Sequence, residues 1–306
     1  MNINKLSNLK NTLKLRAKII QAIRTFFVNN DYLEVETPCR IPTLLPEAHV
    51  DIQTTDKWFL QTSPEACMKM LLASGCTRIF QICKCFRRNE RGNKHLPEFT
   101  LLEWYCAESD YLKMMVQCES LIQFISKTLG FKNQLEYQGK QIDLSSPWNR
   151  MSVAEAFLNY ASISVDDALL TNKFDEIIAC EIEPNLGIKK PLFLYDYPVL
   201  KGAFAKTKDN NSKIAERFEL YISGIELCNA YTEINNPDKQ KEKFEYEQNL
   251  RKLLGKQIHP IPENFLKFLK YMPDASGNAL GIDRLIMLFA NTDKIDNTVA
   301  FTPESL

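Results

Sequence analysis

The chain lacks the short motifs that identify several large classes of enzyme. Neither G-x-G-x-x-G nor G-x-x-x-x-G-K-[ST] occurs, and no nucleophile motif of a Ser-His-Asp hydrolase is present. The nine cysteines contain no C-x-x-C pair, and the closest spacing is that of Cys83 and Cys85. Without a second pair or a nearby histidine, these two thiols do not form the ligand set of a structural zinc site. We therefore expect no structural zinc.

An excess of one charge and long apolar runs are also missing. The chain has 38 basic and 38 acidic side chains, so its net charge is zero. A protein that binds nucleic acid mainly through phosphates usually carries a basic excess, so the balance weakens that interpretation. The N-terminus has no apolar signal-peptide region, and no stretch reaches membrane-spanning length. These absences favour a cytoplasmic location.

The pattern of apolar residues predicts an α+β fold on an antiparallel sheet. Helical spacing occurs over 9–30, and two strand-like runs flank the polar loop 87–96. A further strand pair surrounds Ser223 and Gly224, a turn signal typical of hairpins. Hairpin-joined strands mixed with helices favour α+β rather than a parallel sheet. We predict one domain over 1–306, with an insertion or helical subdomain at about 132–190.

Two segments nearly 180 residues apart carry the strongest chemical signal. The first, 86–105, places Arg87 and Arg88 before a flexible polar loop and an apolar strand. The second, 277–288, places small residues against Arg284 at the start of an apolar helix. Arginines supply fixed bidentate donors to phosphate oxygens and stabilise charge that develops on an α-phosphate. This combination predicts an enzyme that uses ATP to activate a carboxylate.

Three glutamates repeat every seven residues through the predicted hairpin. With a turn near residue 223, Glu219 and Glu226 become roughly cross-strand partners and face the same way, with Glu233 further along. Two carboxylates on one face repel unless a cation joins them, and Mg²⁺ carried by ATP would do so. The alternative interpretation is that these glutamates lie on an ordinary strand face in contact with solvent and bind nothing. Likewise, Phe99 either stacks on a base or belongs to the core.

The chain resembles the lysyl branch of the class II aminoacyl-tRNA synthetases over nearly its whole length. The similarity rests on the segments around Pro38, 86–105 and 277–288, which look like motifs 1, 2 and 3, and on four longer strings. These strings are TSPEACMKMLLASG, HLPEFTLLEWY, AERFELYISGIEL and MPDASGNALGIDRLIML. The resemblance implies a class II catalytic fold with a six-stranded antiparallel sheet flanked by helices. It also implies a homodimer joined through motif 1.

Lysyl-tRNA synthetases carry an anticodon-binding barrel before the catalytic core, whereas here the core begins almost at Met1. The resemblance is therefore strongest to truncated members of the branch. They activate (R)-β-lysine with ATP and transfer it to a lysine of translation elongation factor P, so tRNA is not the expected partner. Ala279 agrees with this, because the synthetases have glycine there and the truncated members have alanine.

Carried over position by position, the resemblance implies a role for each matching residue. The expected catalytic residues are Arg87, Glu226 and Arg284. The expected residues for the amino-acid substrate are Ser63, Glu65, Glu103, Tyr105, Glu233 and Ala279. The expected ATP-binding residues are Arg87, Arg88, Asn89, His95, Leu96, Phe99, Glu219, Glu226, Leu227, Gly281 and Arg284. Glu219 and Glu226 would hold Mg²⁺ through ATP.

Three departures from the family pattern affect the nucleotide contacts. The family reads Arg-Asn-Glu where this chain has Arg87, Arg88 and Asn89, with Glu90 one place later. Either Asn89 replaces the glutamate that reads adenine, or the loop shifts by one residue. Leu96 replaces an asparagine, and Ala230 stands where glycine is common.

Two other functions stay open at this point. One is a free-standing lysyl ligase that acts on a small molecule or on tRNA. The other is a catalytically inactive amino-acid sensor, which the departure at Asn89 would suit.

Overall fold

The computed structural model describes residues 3–305 and has an α+β architecture. Its helices are α1 (Ile3–Asn29), α2 (Glu65–Ala73), α3 (Tyr111–Thr128), α4 (Val153–Tyr160), α5 (Val165–Leu170), α6 (Phe174–Ile177), α7 (Pro237–Leu253), α8 (Glu263–Leu269) and α9 (Ile282–Phe289). The strands are β1 (Leu33–Glu34), β2 (Arg40–Ile41), β3 (Thr54–Thr55), β4 (Trp58–Leu60), β5 (Arg78–Phe86), β6 (Glu98–Ala107), β7 (Gln134–Tyr137), β8 (Lys140–Asp143), β9 (Asn149–Ser152), β10 (Leu192–Pro198), β11 (Thr207–Lys208), β12 (Asn211–Ile222), β13 (Ile225–Thr232) and β14 (Ala275–Gly281).

A large sheet organises the chain. Its order is β1-β5-β6-β14-β13-β12-β10-β9, with β11 paired to β12. The six strands from β5 to β10 in this order are antiparallel to their neighbours, whereas β1 and β9 join the two edges in parallel. The predicted six-stranded antiparallel sheet is therefore confirmed as the centre of a somewhat wider sheet.

Helices cover both faces of the sheet, and alternation along each strand decides which side chain faces which layer. On β6, Trp104 points into the core beneath α1, α3 and α9, where Phe27 stacks on Phe80 with ring centroids 4.7 Å apart. Its neighbour Tyr105 points to the other face, beneath α2 and α8. Burial of such aromatic pairs is a major stabilising contribution. The face that carries Tyr105 also carries the candidate site.

The segment 132–190, predicted as an insertion or helical subdomain, contains strands as well as helices. It contains the hairpin β7–β8, and β9 pairs in parallel with β10, so the segment extends the main sheet. Helices α4 and α6 pack against β10 through a second apolar cluster that includes Phe157 and Phe174. The segment is thus a mixed α+β extension.

The other predicted elements are confirmed within a few residues. The strands on either side of 87–96 pair antiparallel, and the turn at Ser223 and Gly224 joins β12 to β13. Both turn residues have positive φ, at 53° and 69°. Within residues 3–305, no helix is both long and apolar enough to cross a membrane.

Candidate active site

Two adjoining cavities open on the sheet face that carries Tyr105. The outer cavity has a volume of about 220 Å³ and lies between the loop 87–96 and the start of α9. The inner pocket has a volume of about 60 Å³ and lies deeper, between α2 and strands β6, β13 and β14. Both are lined by Glu47, Arg87, Asn229 and Ala279, so they form one continuous cleft.

The inner pocket brings together every residue that the sequence predicted for the amino-acid substrate. These residues are Ser63, Glu65, Glu103, Tyr105, Glu233 and Ala279. They come from the start of α2, from β6, from the end of β13 and from β14. Their convergence is a property of the folded chain, although the role of each remains a prediction.

Glu103 is held at the pocket wall by two hydroxyl donors. Ser63 Oγ donates to Glu103 Oε1 at 2.5 Å, and the Tyr105 hydroxyl donates to Oε2 at 3.0 Å. Ser63 Oγ also accepts from the backbone N–H of Glu65 at 3.0 Å, which fixes it at the start of α2. Burial raises the pKa of Glu103 to about 8, against the lowering effect of these donors. No protein cation contacts this carboxylate within the described residues.

Lys69 pairs with two carboxylates of the inner pocket. Its side chain is fully buried, and Nζ lies 2.5 Å from both Glu65 Oε1 and Glu233 Oε2. Burial opposes the charge on Lys69, but the two carboxylates together raise its pKa. Burial also raises the pKa of Glu233 to about 8, although Lys69 acts in the opposite direction. We take Lys69 to be charged, because a neutral amine would leave both buried carboxylates without a counter-charge.

Glu233 keeps one oxygen, Oε1, buried without a hydrogen-bond partner. A methyl group built on Gly277 would lie 2.3 Å from this oxygen and 2.3 Å from a ring carbon of Tyr105. The absence of a side chain at Gly277 therefore provides the space that Oε1 and the Tyr105 ring occupy. A buried acceptor without a partner is costly, so this oxygen is suited to receive a donor from a ligand.

Arg284 dominates the outer cavity. Its guanidinium donates to the Glu226 carbonyl at 2.8 Å and lies 3.2 Å from Glu226 Oε2. It also contacts His95 Nε2 at 2.6 Å. Burial and the neighbouring Arg284 lower the pKa of His95, which favours the neutral ring with Nε2 as the acceptor. Leu96, Phe99 and Gly281 complete this part of the lining, as predicted.

Arg87 lies where the outer cavity meets the inner pocket. Its guanidinium carbon is 5.2 Å from the centroid of the Phe99 ring, and its Nε is buried without a partner. Glu90 lies 3.9 Å from Arg87 and lines the outer cavity. Arg88 and Asn89 are exposed and do not line it, and Asn89 instead donates to Asp51 at 3.3 Å. The geometry thus favours the alternative in which the loop shifts by one residue.

The predicted pairing of Glu219 with Glu226 is wrong in detail. Glu219 lies opposite Asn229 and Glu226 opposite Tyr221, because the register of β12 and β13 shifts between Leu220 and Tyr221. Glu226 lines the outer cavity, whereas Glu219 lies behind the lining. Glu219 accepts from Arg217 at 2.6 Å and from the hydroxyls of Tyr197 and Tyr221 at 2.6 and 2.7 Å.

One further predicted position and one departure lie in the core and not in the cavities. The side chain of Leu227 is buried in the main core, and so is that of Ala230. The exchange of glycine for Ala230 therefore does not alter the lining. Asp283, by contrast, has a supporting position: it accepts from Arg16 at 2.5 Å and from the backbone N–H of Thr100 at 2.7 Å. This bond network ties α9 to β6 and α1 and so fixes Arg284.

Sequence reasoning missed several residues that line the cleft or lie behind its lining. Lys69 follows Glu65 by four residues on a helix, a spacing that signals a side-chain pair. Tyr231 lies near the end of β13, two residues before Glu233, and its hydroxyl donates to Glu65 Oε2 at 3.0 Å. Glu47 lies in a loop and carries no local signal. Glu183, in the segment 132–190, accepts from Tyr221 at 3.1 Å, and burial together with Glu226 and Glu219 raises its pKa to about 7.

Comparisons with known proteins agree with this geometry. Residues 1–305 match the family model of the class II tRNA synthetases (D, K and N). A relative from Vibrio atlanticus, named elongation factor P–(R)-β-lysine ligase, is 36% identical over 306 residues, covering 94% of each chain. A relative of the same name from Salmonella arizonae is 34% identical over 312 residues, covering 97% of this chain and 96% of its own. The chain therefore belongs to the class II tRNA synthetase family.

Proposed function

We propose that the protein activates (R)-β-lysine with ATP and transfers it to the ε-amino group of a lysine on translation elongation factor P. The names of the two relatives support this acceptor and this amino acid. The observation that carries the proposal is the inner pocket, which is rich in buried carboxylates and adjoins an arginine-lined cavity.

The charge of the inner pocket suits an amino acid with two ammonium groups. Apart from Glu47 and Arg87, which lie where it meets the outer cavity, it has three carboxylates with one protein cation beside them, so two negative charges lack a partner when all groups are ionised. The carboxylates belong to Glu65, Glu103 and Glu233, and the cation to Lys69. Buried charges require partners, and a diamino acid supplies both. The buried Oε1 of Glu233, which has no hydrogen-bond partner, is our candidate for binding the distal ammonium.

The outer cavity suits the nucleotide. Arg87 and Arg284 can hold phosphate oxygens, and Phe99 offers an aromatic face beside them. Magnesium carried by ATP is usually held by one or two carboxylates together with phosphates and water. Glu226 on the cavity wall fits this requirement, with Glu219 behind it. When bound, the ion would neutralise charge on the phosphates.

The proposed chemistry has two steps. An oxygen of the substrate carboxylate forms a bond to the α-phosphorus, and the bond to the bridging oxygen breaks, so that pyrophosphate leaves. Arg87 at the junction would stabilise the charge that develops there. The acceptor amine then forms a bond to the carbonyl carbon of the adenylate, and AMP leaves.

Other features of the proposal follow the family resemblance. We propose a single catalytic domain over 1–306, a homodimer joined through the region around Pro38, and a cytoplasmic location. The absence of a basic excess supports a protein acceptor over tRNA. The relatives' names also disfavour an inactive sensor.

Amino-acid-dependent exchange between ATP and labelled pyrophosphate tests the activation step. We expect exchange with (R)-β-lysine and weaker exchange with α-lysine. Leucine, which lacks the second ammonium group, serves as the control and should give none. An absence of exchange with every diamino acid would contradict the proposal.

A further inference from the structure

Glu47 occupies the point where the two cavities meet. Four residues of the described part of the chain line both cavities, and Glu47 is the one among them that has a carboxylate. No hydrogen bond or ion pair engages that carboxylate among residues 3–305. The other carboxylates of the inner pocket differ, because Glu65 and Glu233 contact Lys69 and Glu103 accepts from two hydroxyls.

The loop that carries Glu47 is held in place by buried contacts. Arg251, only 2% exposed, donates to the carbonyls of Glu47 and Val50 at 2.6 and 2.8 Å. The backbone N–H of Ala48 donates to Glu247 at 2.7 Å. These contacts anchor the loop to α7, so the position of Glu47 is fixed although no regular element contains it.

We propose that Glu47 is the general base that deprotonates the acceptor amine in the transfer step. The inference rests on the proposed function, because it assigns a residue to its second half. An amino acid in the inner pocket and a nucleotide in the outer cavity must be joined where the cavities meet, and Glu47 lies there. A protein lysine has a pKa of about 10.4 and arrives as an ammonium group, which cannot attack a carbonyl. The transfer step therefore requires a base.

In the proposed transfer step, the bond that forms is matched by a bond that breaks, and each proton has an acceptor. The acceptor ammonium gives one proton to the Glu47 carboxylate and becomes a neutral amine. Its nitrogen forms a bond to the adenylate carbonyl carbon, the bond from that carbon to the phosphate oxygen breaks, and AMP leaves with the electron pair. The nitrogen loses its second proton to the departing phosphate or to water. Glu47 then releases its proton to solvent through the open cleft.

The surroundings of Glu47 suit a base that works near neutral pH. Burial raises its pKa to about 7, while Arg87 opposes that shift. Above this pH the carboxylate is ionised and able to accept a proton, so the transfer rate should rise with pH and level off above about 7. The charged and titratable groups around it are Arg87, Glu65, Glu247, Glu90, Arg251 and Tyr231.

Glu47→Gln tests the assignment by separating the two half-reactions. We expect pyrophosphate exchange to stay within about threefold of the unsubstituted protein. Single-turnover transfer from preformed adenylate to elongation factor P should fall by about 10²- to 10⁴-fold, the usual contribution of a general base. The residual rate should keep rising with pH toward the pKa of the acceptor lysine, without the plateau. Glu47→Asp should recover part of the rate.

Hydroxylamine provides a second readout, because it is largely a neutral nucleophile at pH 7. Glu47→Gln should form the hydroxamate from the adenylate as fast as the unsubstituted protein. Glu245→Gln, an exposed glutamate on α7, serves as the matched control and should behave normally with both acceptors.

Each remaining outcome counts against Glu47 as the base. Unchanged transfer to elongation factor P in Glu47→Gln would overturn the proposal. A parallel fall in exchange, hydroxamate formation and affinity for β-lysine would mean that Glu47 binds the substrate or positions Arg87. If the unsubstituted protein forms adenylate and hydroxamate but transfers nothing to elongation factor P, the proposed acceptor fails, and the assignment of Glu47 fails with it.

Discussion

The substitution Gly277→Ala tests the proposed substrate pocket with a single methyl group. The new carbon would lie 2.3 Å from Glu233 Oε1 and 2.3 Å from the Tyr105 ring, where contacts normally require about 3.5 Å. Both side chains, or the backbone at residue 277, must therefore shift by about 1 Å. Overpacking of this kind costs about 1–3 kcal/mol, and misplacement by 1 Å at a reacting centre costs on the order of 10²-fold.

We expect Gly277→Ala to lower kcat/KM for (R)-β-lysine by about 10- to 200-fold in pyrophosphate exchange. The KM for ATP should change little, because the outer cavity does not include Gly277. Thermal unfolding measured in parallel reports whether the fold survives. Gly281→Ala is the matched control, because its added carbon would lie no closer than 3.7 Å to any neighbour. Its affinity for the amino acid should therefore remain normal.

Equal affinity for β-lysine in Gly277→Ala and the unsubstituted protein would refute the assignment of the inner pocket. A similar loss of affinity for β-lysine in Gly281→Ala, with an unchanged KM for ATP, would show that the strand, and not the pocket, is sensitive to substitution.

Three further predictions concern the charged groups of the cleft. Arg284→Ala should lower pyrophosphate exchange by about 10²- to 10³-fold while the circular dichroism spectrum stays unchanged; retained exchange would contradict its role. Glu233→Gln should raise the KM for β-lysine by about 10- to 150-fold, because a charge-assisted contact of about 1.5–3 kcal/mol is lost. An equal rise in the KM for ATP would show that Glu233 does not bind the ammonium group of the substrate. Because burial raises the pKa of Glu103 to about 8, the empty site holds a proton there below that pH, and binding of a cation must release it. The affinity for β-lysine should therefore increase from pH 6 to about pH 8, and proton release on binding should be measurable by calorimetry. Glu103→Gln should reduce both effects, and Glu233, whose pKa burial also raises to about 8, should account for the remainder.

The central sheet could be predicted from the sequence because its strands are long and joined by recognisable turns. The turn at Ser223 and Gly224 fixes one hairpin, and the loop 87–96 separates another pair. By contrast, β9 has only four residues and pairs with β10 across a long stretch of chain. Nothing local marks such a strand, so the sequence predicts an insertion or helical subdomain at 132–190 and not this extension of the sheet.

The residues of the candidate site also fall into two groups: those that the sequence indicates and those that only the folded chain brings together. Residues within recognisable segments, such as Ser63 and Glu103, were predicted and do converge on the inner pocket. Lys69 depends on Glu233, a partner far along the chain, and only folding reveals that contact. Glu47 lies in an irregular loop positioned by Arg251 from a distant helix. The register shift beside Tyr221 is likewise a property of the paired strands and not of either strand alone.

The most direct test of the proposed function is the intact mass of purified elongation factor P after incubation with this protein, ATP, Mg²⁺ and (R)-β-lysine. A parallel reaction contains α-lysine, and a further one omits ATP. We predict a mass gain of one lysyl unit, faster with the β isomer and dependent on ATP. No gain with either amino acid, from a preparation that still carries out pyrophosphate exchange, would contradict elongation factor P as the acceptor.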